Sequence, residues 1–149
     1  MTAEHAPIDR EALAARAIEL RYRNFNCAQA VACALAPLVG ADEDVCFRAS
    51  EAFGGGMGGH TETCGAISGG ALALGLANSN GMADPSSKQA TYALVARLVA
   101  RFREQNGSTI CADLRGEPAG TPLRSCDGCI EDALVWTLDL IEELRANPR

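Results

Sequence analysis

Residues 53–77 read FGGGMGGHTETCGAISGGALALGLA, and no other stretch restricts the fold as much. Five of the seven residues at 54–60 are glycine, so the backbone there can take positive φ and approach another group closely. The next residues carry a helical pattern. Thr61 or Thr63 is placed to cap its first turn, which puts Cys64 at the first to third helical position, where backbone N–H groups lack intrahelical partners. A thiolate there meets the positive end of the helix dipole, and such settings lower a cysteine pKa from ~8.5 to roughly 3.5–7.5. Cys64 is therefore a candidate nucleophile or metal ligand. Residues 63–82 are uncharged but dotted with Gly, Ser and Asn, which suits a buried helix better than a membrane span of ~20 apolar residues.

The flanking sequence reads as helices closing around this segment. A helix is predicted from 9 to 22, with Asp9 as its cap and Leu13, Ala17 and Leu20 on one face. Asn26, Cys27, Ala28 and Gln29 form a capping-box pattern, with Phe25 placed to staple onto the turns that follow. Val31, Leu35 and Leu38 continue a buried face until Pro37 and Gly40. Asp42 opens a shorter helix carrying Val45, Phe47 and Ala52. Beyond Cys64, Gly65, Gly69 and Ala73 share a small-residue face suited to close packing within the chain or across a two-fold, the basis for expecting a homodimer. Asp84-Pro85 starts a helix reaching Gln105 with Val95, Val99 and Phe102 on one face, and Asn106-Gly107 ends it. A single turn at 108–114 holds Cys111. The last helix begins around Asp127 and carries Ile130, Leu134, Ile141 and Leu144, with Trp136 as a core residue. Alanine is abundant and strand-forming residues are thin. The fold class expected is all-α, a compact bundle of five to six helices in a single domain over 1–149.

The formal charge of −6 argues against nucleic acid or an anionic membrane as partner. The opening MTAEHAPIDREALAAR lacks an uninterrupted apolar core, so no secretory leader is read and a cytoplasmic location is expected. In a reducing compartment seven cysteines point to metal or redox chemistry rather than a disulfide framework. Cys27, Cys64, Cys111 and Cys129 each precede or open a predicted helix. Helix starts converging on one point would stabilise several thiolates or an anionic thiolate-ligated cluster. Cys126 and Cys129 also make a Cys-x-x-Cys pair, which chelates metal or forms a redox disulfide. Cys33 and Cys46 carry no such signal and read as small packing residues. His60 is placed to ligate or donate a proton, against the commoner role of a solvated loop histidine. Glu62 reads as a nearby base or simply a favourable partner of the dipole. The loop lacks the Gly-Lys-Ser/Thr ending of a phosphate-binding P-loop.

These residues, from Asn26-Cys27-Ala28-Gln29-Ala30-Val31 through the glycine loop and Cys64-Gly65-Ala66-Ile67-Ser68-Gly69 to Cys111 and Cys129, resemble the C_GCAxxG_C_C family of redox-active proteins. The resemblance covers almost the whole chain and implies a small helical protein whose four cysteines do redox or metal chemistry. Cys126 is extra to those four, which leaves open whether Cys126 or Cys129 is the fourth ligand, and His60 is an individual addition. Three functions follow as expectations. The first is a redox protein with an iron-sulfur cluster, or another thiolate-bound metal, on Cys27, Cys64, Cys111 and Cys129, serving a redox partner of unknown identity. The second is a metal-free thiol-disulfide oxidoreductase in which Cys64 attacks and Cys126 or Cys129 resolves. The third is a soft-metal binding or trafficking module.

Overall fold

The structure, a computed structural model, describes residues 6–148; part of the opening segment used to exclude a leader lies outside them. Seven α-helices and no strand occur among the described residues, one or two helices more than expected: α1 (Arg10–Tyr22), α2 (Cys27–Leu35), α3 (Glu43–Ser50), α4 (Gly65–Asn78), α5 (Lys88–Asn106), α6 (Cys111–Arg115) and α7 (Cys126–Ala146). No helix among the described residues is long and apolar enough to cross a membrane.

The starts follow the caps written in the sequence. Asp9 accepts from the Ala12 N–H, Asp42 from the Val45 N–H, and Asn26 and Gln29 complete a reciprocal capping box. Gly40 and Gly107 adopt positive φ where their helical segments end. Phe25 sets its ring edge-on to Phe47 of α3, with centroids 4.8 Å apart. Other placements differ from expectation. The buried face of α3 belongs to Cys46 and Ser50, while Val45 is exposed, because Cys46 is the residue that α3 turns towards the core. Trp136 is only partly buried, edge-on to Phe102 and beneath the Arg101 guanidinium.

The uncharged segment forms the central helix, α4, which packs chiefly on α2 and α7. A Cβ on Gly69 would stand 2.5 Å from the Ala28 carbonyl oxygen, so glycine lets the two backbones approach this closely. Gly70, one residue on, meets the Thr137 hydroxyl of α7 in the same way. Gly65 and Gly69 face α2 within the chain, and Ala73 is buried. Cys33 and Cys46 are buried in the core, as expected of packing residues.

Candidate functional site

Five cysteines from four helix starts line one cavity of about 350 Å3, open on one side to solvent: Cys27, Cys64, Cys111, Cys126 and Cys129. Cys27 is the first residue of α2, positioned by the capping box of Asn26 and Gln29. Gln29 is itself anchored by donating to the Phe47 carbonyl. Cys64 is the cap residue of α4 rather than a residue inside its first turn, and neither Thr61 nor Thr63 caps it. Cys111 opens α6. Cys126 opens α7 one residue earlier than expected, because the capping oxygen is that of Ser125, which accepts from the Gly128 N–H. Cys129 follows one turn later and is buried.

The glycine loop makes this convergence sterically feasible. Gly55, Gly56 and Gly58 have φ of 63°, 57° and 91°, and Met57 and His60 also sit at positive φ. A side chain on Gly56 would collide with the Cβ of Cys111, and a Cβ on Gly65 would come 2.5 Å from the Cys27 sulfur. The loop is then tied to α6 by an isolated antiparallel bridge between Thr63 and Ile110. Around it the Cys64 N–H donates to the Thr109 carbonyl at 2.8 Å, and the Cys111 N–H to the Glu62 carbonyl at 2.9 Å. Two of the cysteines are thus fixed by main-chain bonds that no helical periodicity announces.

All seven cysteines are free thiols. At Cys27, Cys64 and Cys111 the shift is upward, opposite to the lowering expected at a helix start. Cys64 is pushed up to about 12, chiefly by its hydrogen bond with Cys129 and by burial, against a lowering hydrogen bond with Cys27. Cys27 is raised by its hydrogen bond with Cys64 and then by burial. Burial, followed by the neighbouring Cys27, raises Cys111. Withdrawal from water and crowding by other sulfurs outweigh the helix dipole here, because both disfavour a second negative charge in a confined space.

Beside the sulfurs, the apolar Phe25 and Leu114 and the backbone of Gly55, the lining is cationic and amidic. Arg21, Arg115 and Arg124 reach the cavity, with Asn24 and Asn26, and no carboxylate lines it. The acidic partners hold the arginines from elsewhere: Arg21 pairs with Asp127 at 3.2 Å, Arg115 with Glu117 at 2.8 Å and Arg124 with Asp132 at 3.1 Å. A terminal nitrogen of Arg115 also lies 3.7 Å from the Cys126 sulfur. No spacing in the sequence relates the three arginines to one another; they come together only where α1, α6 and the segment before α7 meet. His60 does not line the cavity. Its Nδ1 lies 2.9 Å from Glu117, so it reaches the site only through Glu117 and Arg115. Glu62 contributes its backbone carbonyl, and no hydrogen bond to Cys64 through its carboxylate is seen.

The donor set suits a thiolate-bound soft metal or iron-sulfur group, since soft sulfur ligands are what such groups require. Among the described residues, no three His, Cys, Asp or Glu side chains are already gathered round one metal-ion position. The sulfurs surround a space rather than a point.

No curated protein and no solved structure gives a significant match to the chain. Residues 25–140, which run from the capping box of α2 into α7, match the family described as putative redox-active protein (C_GCAxxG_C_C). With that match spanning every helix start that delivers a cysteine to the cavity, the chain belongs to the C_GCAxxG_C_C family.

Proposed function

We propose that this is a redox protein in which Cys27, Cys64, Cys111 and Cys129 hold an iron-sulfur cluster or a comparable thiolate-bound metal centre. The observation that supports this reading best is the crowding of sulfurs on one cavity, with thiols that burial and one another keep protonated. Such thiols are poor nucleophiles without a cation. A bound metal removes the penalty, because a coordinating thiol is deprotonated outright. Sulfurs spread round a cavity suit a polynuclear group better than a single ion. When bound, an iron-sulfur group supplies electron transfer at a potential set by its charge, its hydrogen bonds and its exposure. The chain's own part is to hold the sulfurs from four helix starts, exclude water on the buried side with Cys64 and Cys129, and set Arg21, Arg115 and Arg124 beside the negative charge that thiolates bring.

The metal-free oxidoreductase draws support from the free thiols of Cys64, Cys126 and Cys129, which line the same cavity. Against it stands the high pKa of Cys64, the attacking group in that scheme.

Purification without oxygen separates the readings. The cluster reading expects brown protein with sulfide-to-iron charge-transfer absorption and nearly equal iron and acid-labile sulfide. Serine in place of Cys27, Cys64, Cys111 or Cys129 bleaches it, because a hydroxyl is a poorer soft-metal ligand than a thiolate. Cys33→Ala and Cys46→Ala leave it intact. One bound soft metal without sulfide supports the trafficking module instead. Colourless, metal-free protein with a reversible Cys64 disulfide overturns the metal reading in favour of the oxidoreductase.

A further inference from the structure

Three partly exposed side chains run in line from the glycine loop to the sulfurs. The His60 ring lies where a Cβ on Gly55, a lining residue of the cavity, would meet it at 3.6 Å, and its Nδ1 stands 3.0 Å and 2.9 Å from the two carboxylate oxygens of Glu117. Glu117 accepts a further bond from Arg115 Nε at 2.8 Å, while a terminal nitrogen of the same guanidinium lies 3.7 Å from the Cys126 sulfur. Arg115 closes α6, the short helix that Cys111 opens, so about one turn of backbone separates it from a second sulfur. Burial and Cys27 push the Cys111 thiol up, and Arg115 is the neighbour that opposes them. Arg115 and then His60 hold the Glu117 carboxyl below the usual carboxylate range. Ion pairs this exposed contribute little to stability. What the pairing fixes is a direction: with Nε held by Glu117, a terminal nitrogen is turned to the sulfurs.

We propose that Glu117 and His60 are positioning residues for the metal centre: acting through Arg115, they hold a fixed positive charge against the sulfurs of Cys111 and Cys126 and so raise the reduction potential of a group bound there. This role presupposes the metal centre proposed above, and it is the same whether Cys126 ligates that centre or only adjoins it. A positive charge beside the sulfurs favours the reduced, more negative form of an iron-sulfur group, and hydrogen bonds to sulfur act in the same direction. Glu117, which does not line the cavity, therefore has two opposed effects. Its own negative charge lowers the potential, and its hold on Arg115 raises it. Only the second needs Arg115, so the sign of a Glu117 substitution depends on what stands at position 115.

The test uses the full chain purified without oxygen, with the midpoint potential followed through the absorption of the bound centre. Arg115→Gln is expected to lower the midpoint. Glu117→Ala lowers it too, although loss of a negative charge alone would raise it, because the freed guanidinium turns to solvent. With Arg115→Gln already present, Glu117→Ala raises the midpoint, since only the charge is left to lose. His60→Ala lowers the midpoint by less than Glu117→Ala does. His60→Asn, whose amide nitrogen donates from the Nδ1 position and which tolerates the same positive φ, keeps the parent value. Unfolding midpoints stay near that of the parent throughout, as for other exposed ion pairs. In the metal-free chain the hold is read by NMR: the Arg115 Nε proton exchanges slowly in the parent and severalfold faster in Glu117→Ala. A Glu117→Ala midpoint that rises in both backgrounds, or an Nε proton that exchanges equally fast in both chains, overturns the proposal while the metal reading stands. A parent chain that binds no redox-active metal overturns that reading and this role with it, and its metal content identifies that case.

Discussion

A methyl group placed on Gly65 would stand 2.5 Å from the sulfur of Cys27, so the first residue of α4 is glycine because the first residue of α2 is a site cysteine. The backbone of α4 is the wall against which that sulfur rests. Gly65→Ala is expected to destabilise the protein by about 1–3 kcal/mol, the usual cost of overpacking, and to displace Cys27 from the cavity. Gly75→Ala, in the same helix with nothing within 4 Å of the added carbon, is expected to raise stability by roughly 0.5–1 kcal/mol, because alanine is the better helix former. Thermal denaturation of the two variants checks both signs.

The loop glycine at 56 carries two constraints together. Its φ is 57°, and a Cβ there would strike the Cβ of Cys111. Gly58, at φ 91°, carries only the first, since nothing lies within 4 Å of its Cβ position. Gly56→Ala should therefore cost more stability than Gly58→Ala, and it alone should alter the rate at which iodoacetamide modifies Cys111 in the folded protein. Equal effects on both measures would separate Cys111 from the loop.

Asn26 is the joint that sets Cys27. Its Oδ1 accepts from the Gln29 N–H at 2.9 Å and its Nδ2 donates to the Glu51 carbonyl at 2.9 Å, which joins α2 to the end of α3. Asn26→Ala loses a cap worth about 1 kcal/mol and also leaves the Glu51 carbonyl without this donor. Asn26→Asp keeps the cap and loses only the second bond, so its denaturation midpoint is expected to fall between those of the parent and the alanine variant.

Alkaline pH should weaken the metal-free fold. The folded thiols of Cys64 and Cys33 are pushed up to about 12 and about 11 from 9.0, and Cys27, Cys46 and Cys111 are raised as well. An unfolded chain releases these protons near pH 9.0, so between there and the folded values the native state binds more protons and stability falls as pH rises. Chemical denaturation should show a midpoint with no cysteine contribution to its slope below pH 9.0 and a decline above it. Cys33→Ala, which removes a raised group outside the cavity, should make that decline shallower. A pH-independent midpoint across the interval would contradict the burial of the thiols.

What could be read in the sequence was local. The caps at Asp9, Asn26 and Asp42 and the stops at Gly40 and Gly107 lie within a few residues of what they terminate, and each stands where the pattern put it. The gathering of cysteines followed from their places at helix starts. The upward shift at Cys27, Cys64 and Cys111 did not, because the dipole is a property of one helix whereas burial and neighbouring sulfurs arise from four. Arg115 beside Cys126, and the bridge between Thr63 and Ile110, join residues that no periodicity relates. His60 was visible as a loop residue, but its partner Glu117 lies far along the chain, and only the fold brings the two together.

The bridge at Thr63 gives residue 62 an unusual latitude. What Glu62 supplies to Cys111 is a carbonyl oxygen, and every amino acid carries one. The same holds for the carbonyl of Thr109 that receives the Cys64 N–H. The spacing between two of the sulfurs is thereby entrusted to atoms that substitution cannot remove. Exposed Glu62 can vary through every residue that keeps the backbone N–H it donates to the Gly56 carbonyl, proline excepted, while Cys64 and Cys111 keep their separation.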